Sequence, residues 1–312
     1  MFHRAMGLSA ASVVLTLGGT ATAAVEFPQG IVRVFDEAGL GAVDTTVRGF
    51  SGKRTRYLTM DVGALFGEAA GRGAPAEDRV VLNLFGDRQM EAVREPKDLA
   101  LGNTPMWFGR LSDDPEGYAL FVKHDDAVVG KIFSTVHGSY EVILPGPGFA
   151  EISEIDQMRE RPCAVDHRHM DRNVPGYAMP EGEEAVERGA EAGTYVFADV
   201  LTAYTSITAS QIGGTAAMLA WIDAEIAETN LVYENSQMIL RIRNAGTIEE
   251  SYTSDALDMG VDLNRITNID GIMDDLHPLR NAVGADLVHL IVPSQSANAC
   301  GIAWLMTGVG PG

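Results

Sequence analysis

The 312-residue chain has only two cysteines, Cys163 and Cys300, so at most one internal disulfide can form and no cystine framework replaces a hydrophobic core. Basic residues are scarce, with 23 Lys and Arg against 43 Asp and Glu and a net charge of -20. Such a surface has no basic stripe with which to displace phosphate counterions, so nucleic-acid partners are disfavoured. No segment supplies the ~20 consecutive apolar residues of a membrane helix, and no membrane span is expected. The phosphate-binding patterns GxGxxG and GxxxxGK[ST] are missing, as are CxxC pairs, heptads and repeats of 20 to 50 residues. A GxSxG nucleophile elbow is also missing, which leaves Ser294, Ser296 and Cys300 near His289 without support as a serine-hydrolase site.

What is present is ordinary for globular protein, with 46% hydrophobic and 21% charged residues over a length that accommodates two domains. The first 24 residues differ: Arg4 gives a positive start, Gly7 to Gly18 an apolar stretch, and Ala21-Thr22-Ala23 a small-residue cleavage site. That order predicts a secretory signal peptide and export, extracellular or periplasmic. Losing Arg4 with it makes the remainder more acidic still.

From 25 to 155 the chain alternates short apolar runs ("IVRVF", "RYLTMDV", "RVVLNLFG", "YALFVKH", "SYEVILPGPG") with Gly, Pro and Asp breaks. This predicts a β-rich domain with little helix. Its His124 and His137 stand alone in sequence and read as structural. Residues 156–193 are charged, rich in Pro and Gly and poor in β-branched side chains, the composition of an exposed, cleavable linker.

Residues 194–312 change rhythm. Thr194 to Ser206 reads as a strand. Ser210 is placed to cap a helix with Leu219, Ile222, Ile226 and Tyr233 on one face, and "QMILRIRNAGTIEES" alternates as a second strand. A second helical stretch, from about Ser254 to Arg280, is expected to break near Asp270-Gly271. "ADLVHLIVP" then reads as a strand covered on both faces, burying His289. Strand, helix, strand, helix, strand implies an α/β layer with parallel pairing. The fold class expected for the chain is α+β / α/β: a β-rich N-terminal domain, then a mixed sheet with helices.

The succession "AAMLAWIDAEIAETNLVYENS", "ILRI", "SYTSDALDMGVDLNRI", "IDGIMDDLHPLRNAVGADLVHLIV" and "ACGIAWL" resembles the first half of a reprolysin-like metallopeptidase of the metzincin group, and is similar to secreted bacterial zinc endopeptidases of the peptidyl-Asp type. The resemblance covers about Thr194 to Leu305. It implies a metzincin-like catalytic domain, a protein or peptide substrate, and a Zn²⁺ cofactor held by the three histidines of HExxHxxGxxH, with its glutamate as general base. It also implies that Gly301, Ile302 and Ala303 belong to the edge of the substrate cleft. The 312 residues contain no HExxH, so the catalytic residues and metal ligands are expected beyond Gly312, and the chain as written is expected to be truncated before its zinc helix and inactive.

The same resemblance makes the β-rich domain a propeptide and "RERPCAVD" (Arg159 to Asp166) a cysteine-switch segment, with Cys163 as the inhibitory zinc ligand; Ala164 stands where that pattern usually has Gly. Cys300 is a disulfide candidate whose partner, in such enzymes, lies further along the chain. A Cys163 to Cys300 bridge competes with both assignments. Of the other candidates, His167 and His169 beside Cys163 lack zinc-finger spacing and read as solvated linker. His277 before Pro278 reads as a helix boundary. Asp270, Asp274 and Asp275 lack the order of a calcium loop. The expected organisation is therefore signal peptide 1–24, propeptide-like domain 25–155, activation linker 156–193 and partial metallopeptidase domain 194–312. The alternative is a secreted non-catalytic binding or inhibitory protein on the same scaffold. Neither reading sets an oligomeric state.

Overall fold

The alternating runs of the first half fold into strands, and these close on themselves. A computed structural model describes residues 32–36, 52–67, 76–156, 164–165, 195–254, 258–293 and 301–304; the segment expected to be a signal peptide, most of the expected linker and both cysteines lie outside them. In chain order the first half comprises β1 (Val32–Arg33), β2 (Phe35–Asp36), β3 (Gly52–Met60), a short α1 (Val62–Phe66), β4 (Arg79–Phe85), β5 (Arg88–Arg94), β6 (Met106–Leu111), β7 (Asp114–His124), β8 (Ala127–Ser134), β9 (Gly138–Leu144) and β10 (Phe149–Ile155). From β4 to β10 each strand pairs antiparallel with the next, and β10 returns to β3.

β1 and β2 are two halves of one extended stretch. The first half pairs in parallel with β4 and the second antiparallel with β3. Between them the Val34 N–H donates to the Val81 carbonyl and the Val34 carbonyl accepts from the Asp61 N–H. The two ends of the meander thus meet through one segment, making a closed barrel without long open edges. Its interior is filled by alternate side chains, among them Leu58, Leu82, Leu84, Trp107, Phe121, Tyr140, Val142 and Ile152. The opposite face of β7, with Tyr118, Leu120 and Val122, is also buried, against a helix of the second half.

The second half contains β12 (Val196–Thr205), α2 (Ser206–Ile212), α3 (Thr215–Asn235), β13 (Leu240–Glu250), α4 (Met259–Thr267), α5 (Leu276–Val283) and β14 (Leu287–Ile291). The sheet order is β13-β12-β14 and every pairing is parallel, as the alternation of strands and helices predicts. Two further two-residue strands, β11 (Ala164–Val165) and β15 (Ile302–Ala303), pair in parallel with each other.

Three local expectations need correction. Ser210 does not cap the helix carrying Leu219, Ile222, Ile226 and Tyr233: it sits inside α2, which is capped by Thr205, whose Oγ1 accepts from the Thr208 N–H, and that helix, α3, begins later, after Gly214. Gly213 and Gly214, both at positive φ, end α2 and set α3 off as a separate helix. Second, α3 does not bury a single face. Ala220, Ala224, Ala227 and Leu231 pack on the barrel, while Met218, Ile222 and Ile226 pack on the parallel sheet. The small alanines let the helix backbone lie close to β7 and β8. Third, β14 is not covered on both faces: Leu287 and His289 are exposed, and Val288 and Leu290 face the core. The break between α4 and α5 falls at Gly271, which has φ +89°, as the sequence suggested.

Candidate peptide-binding groove

β14 pairs with β12 along one edge; along the other it pairs with nothing among the described residues. Beside it runs a groove of about 780 Å³ with a mainly apolar lining that includes Ile212, Trp221, Leu263, Ile291 and Trp304. Gly301, Ile302 and Ala303, the residues expected at a cleft edge, line it too. β15 is tied to the far wall by Trp304, whose Nε1 donates to Thr267 Oγ1 at 2.7 Å on α4.

The groove carries few polar groups. Asp262 is buried and accepts from Tyr252 Oη at 2.6 Å and Ser254 Oγ at 2.7 Å, which fixes α4 to the segment after β13. His289 keeps a solvent-exposed edge, but the groove wall around it withholds part of the hydration an imidazolium needs, so its pKa lies below the ordinary histidine value, with Glu225 opposing the shift. His277 also lines the groove, in the first turn of α5 as the following proline suggested, and its Nε2 is a buried atom with no hydrogen-bond partner among the described residues. At the end of β13, Glu250 is buried with Oε1 unpaired; burial, then the charge of Asp275, raises its pKa. Near the other end of the sheet, Asp199 binds Arg243 through two 2.7 Å hydrogen bonds, and the guanidinium holds the Asp199 carboxyl below the usual carboxylate range.

β15 has a partner. Ala164 stands opposite Ile302 and Val165 opposite Ala303 in a parallel ladder, so the residues directly following Cys163 lie along the expected cleft edge. Cys163, Cys300, His167 and His169 lie outside the described residues. Among the described residues no three His, Cys, Asp or Glu side chains are grouped to hold a metal ion, and the sequence has no HExxH, so these residues do not fit a catalytic zinc centre. No helix among them is long and apolar enough to cross a membrane.

Sequence reading missed the polar side chains that join barrel and helix. His124, which looks isolated in sequence, places Nε2 2.8 Å from Asp223 on α3. Thr104 and Asn244 bond the same carboxylate. Lys131 on β8 meets Glu141 on β9 at 2.7 Å and Glu225 on α3 at 2.5 Å. Lys131 and Glu141 face each other on neighbouring strands, but the partners of His124, Thr104 and Lys131 on α3 are ~100 residues away in the chain, so no local pattern signals those pairs and only the docking of α3 brings them together.

Residues 194–310 match the family model described as Metallo-peptidase family M12B, reprolysin-like. A peptidyl-Asp metalloendopeptidase of Stenotrophomonas maltophilia is 26% identical over 252 residues, covering 76% of this chain and 57% of that protein. A protein of the same name from Xanthomonas campestris pv. campestris is 27% identical over 256 residues, covering 77% and 58%. The chain therefore spans somewhat more than half the length of these curated relatives. A solved chain titled "Structure of a chaperone-substrate complex" aligns with 39% of this chain and 88% of its own length at 18% identity, and its TM-score of 0.25 carries no argument. The family match falls on the parallel sheet, its helices and β15, so residues 194–310 resemble the reprolysin-like family, and the chain is similar over about three quarters of its length to the peptidyl-Asp metalloendopeptidases.

Proposed function

We propose that the chain is precursor sequence of a secreted zinc-dependent metalloendopeptidase: a signal peptide over 1–24, an inhibitory propeptide over 25–155, an activation linker over 156–193 and the first part of a catalytic domain over 194–312. The observation that carries this reading is the ladder between Ala164–Val165 and Ile302–Ala303. An extended peptide bound to a sheet edge is held by main-chain hydrogen bonds, and a linker strand already on that edge excludes a substrate from it. Gly301, Ile302 and Ala303 then form the substrate-gripping edge, and the linker strand keeps the precursor latent until it is cut.

Zinc, when bound, would activate water for attack on a peptide carbonyl. Its ligands would come from residues other than these 312, which contain no HExxH; the greater length of the relatives supports this. Cys163, directly before the paired strand, is the candidate inhibitory ligand, and Cys300, directly before Gly301, the candidate disulfide partner. What this chain's own residues contribute is the docking edge, its apolar groove and their occlusion. On this reading the 312 residues alone cleave nothing.

The test is to express the complete gene product and assay hydrolysis of a protein substrate with and without a metal chelator, before and after cleavage within 156–193. Chelator-sensitive hydrolysis that rises on cleavage is the expected result. If the product hydrolyses nothing under any of these conditions yet binds a peptide, the scaffold is a non-catalytic binding protein and the peptidase reading fails.

A further inference from the structure

The barrel and α3 meet around one ammonium group. Lys131 Nζ lies 2.7 Å from Glu141 and 2.5 Å from Glu225, and 5.3 Å from the centre of the Trp221 ring. Trp221 Nε1 donates to Glu141 at 3.1 Å. One turn beyond Glu225, Glu228 accepts a hydrogen bond from Tyr118 on β7. The groups facing Glu228 are thus Tyr118 from β7, Lys131 from β8, Glu141 from β9, and Glu225 from its own helix. Three carboxylates share one cation. A cavity of about 250 Å³, lined by Lys131, Ser139, Tyr140, Glu141 and Glu228, reaches the cluster.

We propose that this cluster is a proton-gated clasp: the barrel grips α3 most firmly when Glu228 is protonated, and the grip loosens as Glu228 ionises and adds a third negative charge around Lys131. The proposal concerns how the barrel is held and does not depend on the zinc chemistry.

The charges support it with a definite sign. Burial, the largest effect, raises the pKa of Glu228; Lys131 and Tyr118 oppose, and Glu225 and Glu141 add to the rise. A carboxyl whose pKa is raised by docking stabilises the docked state below its ordinary value, and that contribution is lost as pH climbs through the raised value. Glu141 behaves oppositely: burial alone would raise it, but Lys131 and Trp221 hold it below its ordinary value, so its contribution is lost in stronger acid. The clasp is therefore tightest in mild acid. A secreted precursor would hold its barrel in an acidic medium and release it more readily toward neutral pH.

The experiment is hydrogen–deuterium exchange of the full 312-residue chain from pH 4.5 to 8, corrected for the intrinsic pH dependence of exchange, read in peptides covering 118–133 and 221–231. Wild type is expected to show protection in both regions that declines together as pH rises. Glu228→Gln, neutral at every pH, is expected to keep the mild-acid protection at pH 8 and to bring the ratio of corrected rates at pH 8 and pH 5 close to one. Tyr118→Phe removes a hydrogen bond that favours the ionised form, so it moves the decline to higher pH and serves if Glu228→Gln does not fold. This helix carries further ionisable pairs, Asp223 with His124 and Glu234 with Lys97, and His124→Gln separates the share of the histidine. An unchanged decline in Glu228→Gln, a decline removed by His124→Gln alone, or protection that rises with pH would overturn the clasp.

Discussion

Replacing Asn230 with alanine tests how the two halves are joined. Asn230 is fully buried in α3, and its Nδ2 donates to the carbonyls of Leu99 and Ile242 while its Oδ1 accepts from the Ile242 N–H, each at 2.8 Å. One side chain thereby ties a loop of the barrel, the helix and β13. Alanine removes all three bonds and leaves main-chain groups unpaired in a buried site. At about 1 kcal/mol net per bond, with the larger penalty for buried groups left unpaired, the loss comes to about 3–5 kcal/mol. That is a large part of the ~5–15 kcal/mol that holds a domain folded. The assay is equilibrium urea unfolding followed by tryptophan fluorescence, with Trp107 reporting on the barrel and Trp221 on the interface. Asn230→Asp keeps the acceptor but turns a charge toward two carbonyl oxygens, so at neutral pH it is expected to be no more stable than the alanine variant. A loss below about 1 kcal/mol for Asn230→Ala would refute the reasoning, because it would mean that the orphaned groups find other partners at little cost.

Gly109→Ala on β6 is expected to lower the melting temperature: a Cβ there would lie 2.5 Å from the Trp107 ring and 2.7 Å from the Val93 carbonyl oxygen, and a backbone atom cannot swing aside. Overpacking of this kind costs about 1–3 kcal/mol, measurable by calorimetry. Asp114 predicts an acid limb. Burial works to raise its pKa, but hydrogen bonds from Ser134, Thr135 and Gly117 outweigh that and hold it below the ordinary carboxylate value. Its contribution is complete above that ordinary value and lost as pH falls through the lowered one, so Asp114→Asn should flatten the acid side of a stability profile and lower stability at pH 7.

Much of the secondary structure was legible in the sequence, and the reasons are local. Strands of the barrel alternate because one face is packed inside. The three strands of the α/β layer are apolar runs separated by helix-length intervals, which leaves parallel pairing as the natural arrangement. The barrel's closure was not legible: it depends on five residues, Val32 to Asp36, pairing with two strands at once. The double burial of α3 was hidden for a related reason. A helix with alanines on one side and larger apolar residues on another looks like one broad stripe until both neighbours are in place. At the candidate site, resemblance marked Gly301, Ile302 and Ala303, and the structure places them along the groove. Their pairing with Ala164–Val165 joins segments ~140 residues apart, and two-residue strands carry no periodicity by which to find them.

The occluded edge itself is best examined by putting proline at position 164. Ala164→Pro removes a main-chain donor and should break the ladder to Ile302–Ala303 without touching the groove. Binding of a fluorescent extended peptide to the full chain, followed by anisotropy, should be weak in wild type and strengthen at least several-fold in Ala164→Pro, with Ile302 and Ala303 becoming protected from exchange when the peptide is added. Equal binding by the two chains, or binding that leaves Ile302 and Ala303 unprotected, would contradict the assignment of this edge to substrate and of the linker strand to its occlusion.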